Sequence, residues 1–473
     1  MTPLQIDVAI IGAGTAGLRA RRAARARGAR TLLIEGGVHG TTCARVGCMP
    51  SKLLIAAADA AWHVRHAPRF GIEAAYGAQV DGPAVLRRVQ RERDRFVGFV
   101  VRDVEAIDPA ERLEGFARFV GPHVLEVGGT RVEAGAIVVA TGSTPFVPAP
   151  LRDLGDVMLS NEQIFELPDL PRSVAVVGAG VIGLELGQAL HRLGVHVRLF
   201  THGERLGPIT DPVVATSARR IFAAELQLHL HAPIEAAERV EGGARLRWRE
   251  AGEAREEVFE RVLVAAGRTP SIGRLGLDAA GVAVDERGAV EVDPATHRAG
   301  GSALFFAGDV LADRALLHEA ADEGFIAGSN AAALALGQPI EAYQRRTPLA
   351  IVFTDPQIAL VGRRHADLAS SEFGIGEVDY GDQGRSRVMG RNQGIVRIYG
   401  APGGRLLGAE MCGPAVEHTG HLLAWAIQAG MTVTDALRMP FYHPVVEEGI
   451  RTALRDLARA LGLADRPEIV QAS

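Results

Sequence analysis

The chain has 473 residues, 23% of them charged and 47% hydrophobic, with a net charge of −5. This is ordinary globular usage, which excludes a disordered or fibrous chain, and the absence of a basic excess excludes the usual signature of a nucleic-acid binder. At about 150 residues per domain the length predicts about three units; with no apolar run of about 18 residues, no export signal in MTPLQIDVAIIGAG and only three cysteines, a cytoplasmic protein that neither enters membranes nor depends on structural disulfides is expected.

Ile6 to Ile11 (IDVAII) reads as an apolar strand. It runs into GAGTAG, with Gly12, Gly14, Thr15, Ala16 and Gly17, and then into an alanine-rich helical stretch. The arginines between Arg19 and Arg30 alternate with alanines at helical spacing, so a solvated helix face is expected there. A second strand follows at Thr31 to Glu35. Strand, glycine turn and helix form the context in which a GxGxxG pattern cradles a pyrophosphate on a helix N-terminus. Glu35 stands 23 positions past Gly12, where a carboxylate accepts hydrogen bonds from adenosine ribose hydroxyls. The first unit therefore suits FAD or NAD.

The next segment, GTTCARVGCMPSK from Gly40 to Lys52, contains Thr41, Thr42, Cys43 and Cys48. Five positions on a regular helix rise about 7.5 Å and leave the two side chains on different faces. A disulfide requires a closer approach, so Cys43 is expected in an irregular turn ahead of a helix, with the bend at Gly47 and Pro50 in the first helical turn. Cys48, near that helix N-terminus, would have its thiolate stabilised. A structural zinc site is disfavoured because the remaining cysteine is Cys412. Two inert buried cysteines are the plain alternative.

Ile137 to Pro145 (IVVATGSTP, with Thr141, Gly142 and Ser143) reads as a buried strand entering a glycine turn. Val174 to Val177 then opens a second copy of the first pattern, GAGVIG, with Gly178, Gly180, Val181, Ile182 and Gly183. Its second strand, Val197 to Thr201, ends on Thr201 where the first copy has Glu35. With the carboxylate missing and His202, Arg198 and Arg205 nearby, NADP is open as an alternative to NAD. Leu263 to Pro270, with Gly267 and Arg268, repeats the strand and glycine turn. Phe305 to Val310 is an apolar strand ending in Gly308 and Asp309; alone, Asp309 reads as a turn aspartate, but at a strand end it is also placed to bind a ribityl hydroxyl. After Gln344, strands followed by helices indicate a separate α+β unit. Near the carboxyl end FYHPVVEEG carries His443 and Glu448, which alone read as a turn and a helix start.

The expected fold is α/β, with two Rossmann-like dinucleotide-binding domains plus a C-terminal α+β dimerisation domain. Boundaries are placed at 1–150 and 271–346 for the FAD-binding domain, 151–270 for the NAD(P)-binding domain, and 347–473 for the dimerisation domain.

With CxxxxGCxPSK, two glycine fingerprints and the His-Glu pair, the chain resembles the pyridine nucleotide-disulfide oxidoreductases (class I) along its whole length, and most of all dihydrolipoamide dehydrogenase. The resemblance implies that Cys48 contacts the flavin, that Cys43 exchanges with substrate, and that Lys52 lies near flavin N5 and pairs with Glu185. It implies that His443, oriented by Glu448, is the acid-base group and serves the disulfide of the other subunit of a homodimer. Dihydrolipoamide would attack Cys43, and electrons would pass through Cys48 and FAD to NAD+. The lipoyl group would come from a partner, since no lipoyl-type domain precedes the first strand. Arg45 replaces the usual asparagine, Thr41 the second glycine and Val445 the threonine after His-Pro, so an NADPH-dependent reductase of the glutathione reductase type stands as an alternative. A non-catalytic flavoprotein scaffold of a larger complex is another. The ending RPEIVQAS, without a cysteine pair, disfavours mercuric and thioredoxin reductases, and the retained cysteine pair disfavours a soluble transhydrogenase or NADH oxidase.

Overall fold

Ile6 to Ile11 lies within a longer strand, Leu4–Ile11, whose alternate side chains enter two different cores. Val8 and Ile10 pack with helices Thr15–Ala26 and Leu317–Ala335, whereas Ala9 and Ile11 pack with Phe119, Leu125 and Leu277. Strand periodicity thus sets a three-layer arrangement. The computed structural model describes residues 3–73, 79–286, 288–368 and 372–463; the sequence RPEIVQAS lies outside the described residues.

Leu4–Ile11 pairs in parallel with Thr31–Glu35 on one side and Thr130–Val139 on the other. Thr130–Val139 begins antiparallel to Val124–Val127 and ends parallel to Leu304–Phe306, so segments from both sides of the second unit share one sheet. The alanine-rich helix has a packing reason. A Cβ on Gly324 or Gly328 would lie 2.3 or 2.2 Å from the carbonyl oxygens of Ala16 and Ala20, so the two helix backbones touch where the residues are smallest. Its arginines are not simply solvated as the sequence suggested: Arg21 and Arg25 both pair with Glu111, Arg22 with Asp103 and Arg27 with Glu341.

In the second unit Gln227–His229, His196–Phe200, Ser173–Val177, Arg261–Val264 and Met158–Leu159 form a parallel sheet in that order. A three-stranded antiparallel meander, Ile234–Val240, Gly243–Glu250 and Glu253–Phe259, covers one face through Trp248 and Phe259. The two glycine-turn returns meet: Ser143–Pro145 pairs antiparallel with Arg268–Pro270. The third unit is an antiparallel sheet ordered Leu349–Val352, Gln357–Gly362, Leu406–Gly413, Ile395–Gly400 and Gly374–Asp379. Leu423 of helix Val416–Gln428 and Ile450 and Leu454 of helix Glu448–Ala460 complete its core. The architecture is the mixed α/β plan with an added α+β unit that the sequence implied.

Buried charges join the units. Arg192, its side chain 3% exposed, donates to Glu225 at 2.6 Å, to Asp59 on the cysteine helix at 3.1 Å, and to the Asp355 carboxylate at 3.1 Å. Its guanidinium also stacks over Trp62, 4.1 Å from the ring centre. Glu410, fully buried, accepts the N–H groups of Thr210, Asp211 and His365, while Asp211 accepts from Arg397 and Tyr399. Removing one partner of a buried pair strands the other charge at a cost of about 3–5 kcal/mol. Arg192→Met is therefore expected to lower the melting temperature markedly at pH 7. The gap from wild type should narrow at pH 5, because stranded carboxylates then take up protons in the folded state; melting curves at the two pH values check both effects.

Candidate active site

Gly40 to Lys52 folds as two helices broken at one residue. Helix Thr42–Val46 carries Cys43, and Cys48 opens helix Cys48–His66. The irregular turn expected around Cys43 is confined to Gly47 (φ −122°, ψ −117°), because Thr41 Oγ1 accepts the Ala44 N–H at 3.2 Å and caps the first turn. Thr41 holds φ 57° and ψ 149°, a positive-φ extended conformation that costs a non-glycine residue roughly 1–3 kcal/mol. A Cβ on Gly47 would lie 3.0 Å from the Thr42 carbonyl oxygen and 3.2 Å from Cys43 Cα, so glycine lets the two cysteine-bearing turns close on each other. Arg45 reaches back to the Val38 carbonyl at 3.2 Å.

All three cysteines are free thiols: Cys43 half-buried, Cys48 exposed and Cys412 buried. The pair is electrostatically unequal. The hydrogen bond from Cys43 pulls the Cys48 thiol down to about 7, opposed by the desolvation of its sulfur, which protein groups surround although the residue as a whole is exposed, and aided by the Lys52 charge. Cys43 is pushed far up, chiefly by holding its proton toward Cys48 and then by burial. The first negative charge therefore settles on Cys48.

Lys52 Nζ lies 2.7 Å from Glu185 Oε2, and Glu185 is only 4% exposed. Its other oxygen accepts the Phe353 N–H at 2.9 Å, and the Phe353 ring sits 4.7 Å from the ammonium. A second chain of contacts runs from the cysteine turn toward Asp309. Asn161 donates to the Val46 carbonyl at 2.8 Å, Arg268 reaches Asn161 at 3.4 Å and Ser143 Oγ at 2.7 Å, and Ser143 donates to Asp309 at 3.2 Å. Asn161 and Phe353 escaped the sequence reading. Asn161 follows the short strand Met158–Leu159, and a polar residue at a strand's carboxyl end was the available signal.

The two glycine fingerprints adopt one geometry. Gly12 (φ +110°) and Gly178 (φ +116°) pass 2.3 and 2.2 Å, measured from an added Cβ, from the carbonyls of Ala140 and Ala265. A Cβ on Gly17 or Gly183 would strike the carbonyl oxygen of Gly12 or Gly178 at 1.8 or 1.9 Å. At Gly14 and Gly180 a Cβ meets nothing within 4 Å, so both loops present an open face before the helices Thr15–Ala26 and Val181–Arg192. Such a face suits a pyrophosphate. Thr141 Oγ1, beside Gly142, is buried without a partner, a polar atom that a flavin nucleotide would satisfy. The residues present thus fit two dinucleotides. Glu35 accepts the N–H groups of Ala13 and Gly37, each at 2.7 Å, which fixes its carboxylate against the first loop. Thr201 follows the strand His196–Phe200, and its hydroxyl accepts, among the described residues, one long bond, 3.4 Å, from the Gly203 N–H. Of its basic neighbours, Arg198 is committed to Glu257 at 2.6 Å and to His229 at 3.2 Å, whereas His202 and Arg205 are exposed.

His443, its side chain 80% exposed, directs Nδ1 to Glu448 at 3.0 Å. The bond from His443 is the main cause of the lowered Glu448 pKa, with the Val445 N–H contributing. With Nδ1 directed to Glu448, Nε2 is the ring nitrogen left for another partner. Within one chain the structure does not bring His443 to the cysteines.

Residues 6–324 match the family model described as pyridine nucleotide-disulphide oxidoreductase, and residues 349–454 match the dimerisation domain of the same family. A dihydrolipoyl dehydrogenase of Thermus scotoductus is 32% identical over 95% of this chain and 97% of its own. A dihydrolipoyl dehydrogenase of Pseudomonas aeruginosa is 30% identical, again over 95% and 97%. Among solved structures, LpdA from Mycobacterium tuberculosis aligns with a TM-score of 0.81 at 24% identity over 96% of this chain and 99% of its own. The hypochlorous-acid-induced flavoprotein disulfide reductase RclA from Escherichia coli, in a Cu(II) complex, aligns at 0.78 and 23% over 96% and 99%.

The thiol asymmetry is open to measurement. In the reduced protein the rate of Cys48 alkylation by iodoacetamide is expected to rise through a midpoint of about 7, against about 8.5 for an ordinary thiol. Lys52→Met should move that midpoint up and Glu185→Gln should move it down, because Lys52 attracts the thiolate and Glu185 repels it. Mass-spectrometric alkylation profiles of the three proteins supply the test.

Proposed function

Because the chain belongs to the pyridine nucleotide-disulphide oxidoreductases, flavoprotein enzymes that use FAD and a nicotinamide nucleotide, we propose that it oxidises dihydrolipoamide with NAD+ through Cys43 and Cys48. The observation that carries this reading is the cysteine pair closed across Gly47, with Cys48 one helical turn from the Lys52–Glu185 ion pair. Dihydrolipoyl dehydrogenases at 30–32% identity over nearly the full chain support the substrate.

FAD would lie against Gly12, Gly14, Thr15, Ala16, Gly17, Glu35, Thr41, Thr42, Thr141, Gly142, Ser143, Gly308 and Asp309, carried by residues 1–150 and 271–346. The nicotinamide nucleotide would lie against Gly178, Gly180, Val181, Ile182, Gly183, Thr201, Gly267 and Arg268, carried mainly by residues 151–270. Residues 347–473 would form the dimerisation unit. The chemistry supplied by bound FAD is two-electron exchange between a dithiol and a nicotinamide.

The chain's own residues manage sulfur and protons. One thiol of dihydrolipoamide gives its proton to His443 Nε2 of one subunit and attacks Cys43 Sγ in the Cys43–Cys48 disulfide of the other. An S–S bond to the substrate forms as the bond between Cys43 and Cys48 breaks, and Cys48 leaves as the thiolate. The second substrate thiol then attacks the substrate sulfur of the mixed disulfide as its proton passes to the departing Cys43 sulfur, lipoamide closes, and Cys43 is released as a thiol while the first proton remains on His443. Two electrons and two protons leave the substrate. Glu448 keeps the imidazole in the tautomer that accepts at Nε2. The exposure of His443 accords with a role on the second subunit of a homodimer.

A second reading, NADPH-dependent reduction of glutathione disulfide, is favoured by Thr201, which offers no carboxylate to repel a 2′-phosphate, with His202 and Arg205 exposed beside it. Steady-state rates with NADH and NADPH against lipoamide and glutathione disulfide decide between the two. Turnover with NADH and lipoamide is expected; turnover confined to NADPH and glutathione disulfide replaces the first reading by the second. His443→Gln should slow the thiol-disulfide half-reaction by about 10²–10⁴-fold, the range for loss of general acid-base catalysis.

A further inference from the structure

His443 stands on a stretch that secondary structure barely holds. Among the described residues, the hydrogen bonds of Pro440 to Val445 run to two side chains. One is Glu448, on the helix that follows, which accepts from His443 and from the Val445 N–H at 3.3 Å. The other is Gln383, 62 positions earlier, whose Nε2 donates to the Val445 carbonyl at 2.8 Å. Gln383 is thus the one hydrogen-bonded tie, among the described residues, between this stretch and a distant part of the fold.

The amide of Gln383 has no freedom to turn over. Its Oε1 accepts the Ser386 N–H at 2.7 Å and the Ser386 hydroxyl at 2.8 Å, and Ser386 is fully buried. These bonds cap the short helix Gly384–Val388 and leave the NH2 group facing Val445. The Val445 residue is then gripped at both ends, N–H by Glu448 and C=O by Gln383, two residues from the imidazole. The Glu448 bonds fix the ring relative to its own helix, and the Gln383 bond fixes the stretch relative to the sheet domain.

We propose that Gln383 is a positioning residue for His443: oriented by Ser386, it holds the Val445 carbonyl and thereby the angle at which the imidazole is offered to the thiol pair of the other subunit. The inference rests on the reading of His443 as proton acceptor. A proton transfer requires hydrogen-bond distance between heavy atoms, and a stretch tethered at one end meets that geometry for a smaller share of the time. The effect belongs to the thiol half-reaction alone, because the coenzyme half-reaction does not use His443.

Two variants of the homodimeric holoenzyme separate positioning from structure. Gln383→Ser retains an N-cap for Gly384–Val388 and is too short to reach Val445. Gln383→Glu retains length and an acceptor for Ser386 but cannot donate to Val445. Stopped-flow flavin reduction is followed with dihydrolipoamide, with dithiothreitol as a second dithiol, and separately with NADH and NADPH. Loss of one hydrogen bond of about average strength predicts an approximately fivefold slower dithiol reaction in both variants. The rate and KM with the nicotinamide nucleotide and the melting temperature should stay at wild-type values. Wild-type dithiol rates in both variants overturn the proposal, as does an equal loss in both half-reactions with a lowered melting temperature. His443→Gln is run alongside: a slow His443→Gln with fast Gln383 variants removes only the positioning role, whereas a fast His443→Gln removes the reading of His443 itself.

Discussion

A single buried carboxylate, Glu185, sets the terms for the rest of the molecule. An ionised side chain out of water must be paired, and Glu185 takes one partner from each neighbouring unit: the Lys52 ammonium of the cysteine helix and the Phe353 N–H leading out of the dimerisation sheet. The second dinucleotide fold is thereby keyed to the thiols on one side and to the dimerisation domain on the other. Seven residues further along both helices the pairing recurs with its signs exchanged, Asp59 on the cysteine helix meeting Arg192 on the helix of Glu185. A step of seven returns to the same helix face, so the two ion pairs fix the register of the helices at two levels, and alternating signs penalise a slip of either.

That register has an electrostatic consequence at the sulfurs. Lys52 is one turn from Cys48 on the same helix, so its charge is delivered to Cys48 by helix geometry rather than by a flexible loop. Glu185 offsets part of that charge without removing it, and Cys43, closed onto Cys48 across Gly47, surrenders its own acidity to the neighbour. Disulfide exchange requires one sulfur that is attacked and one that leaves as a stable anion. Under the proposed function Cys43 would be the sulfur attacked and Cys48 the one that leaves, the order that the placement of Lys52 favours.

What was legible in the sequence was local. The GAGTAG and GAGVIG turns were readable because the contacts that require Gly17 and Gly183 lie within a few residues along the chain. The strand at Thr31 to Glu35 falls where periodicity placed it. The helical setting of Cys43 was missed because it depends on a single capping hydroxyl, Thr41, at a position where helix propensity is silent. Asn161, Phe353 and Gln383 were missed for a different reason. Each acts through a partner more than 60 positions away, and a lone amide or a backbone N–H has no spacing rule that would single it out.

The departures from the family motif divide along the same line. At the thiol end each one is matched by a contact: Thr41 occupies the backbone conformation that glycine ordinarily supplies and offsets the strain with the bond that caps the Cys43 turn, while Arg45 ties that turn to the Val38 carbonyl. At the adenosine end of the second dinucleotide site nothing comparable is built. Thr201 brings no carboxylate, and Arg198, the cation on the adjoining strand, is spent on Glu257 and His229 beneath it. Under the proposed function the chain would therefore restrain the geometry of sulfur chemistry tightly and the choice of nucleotide loosely. On that reading, substitutions at the exposed His202 and Arg205 would alter coenzyme preference without disturbing a contact of the thiol pair, since no hydrogen bond or ion pair of the described structure links those two side chains to the cysteine turn.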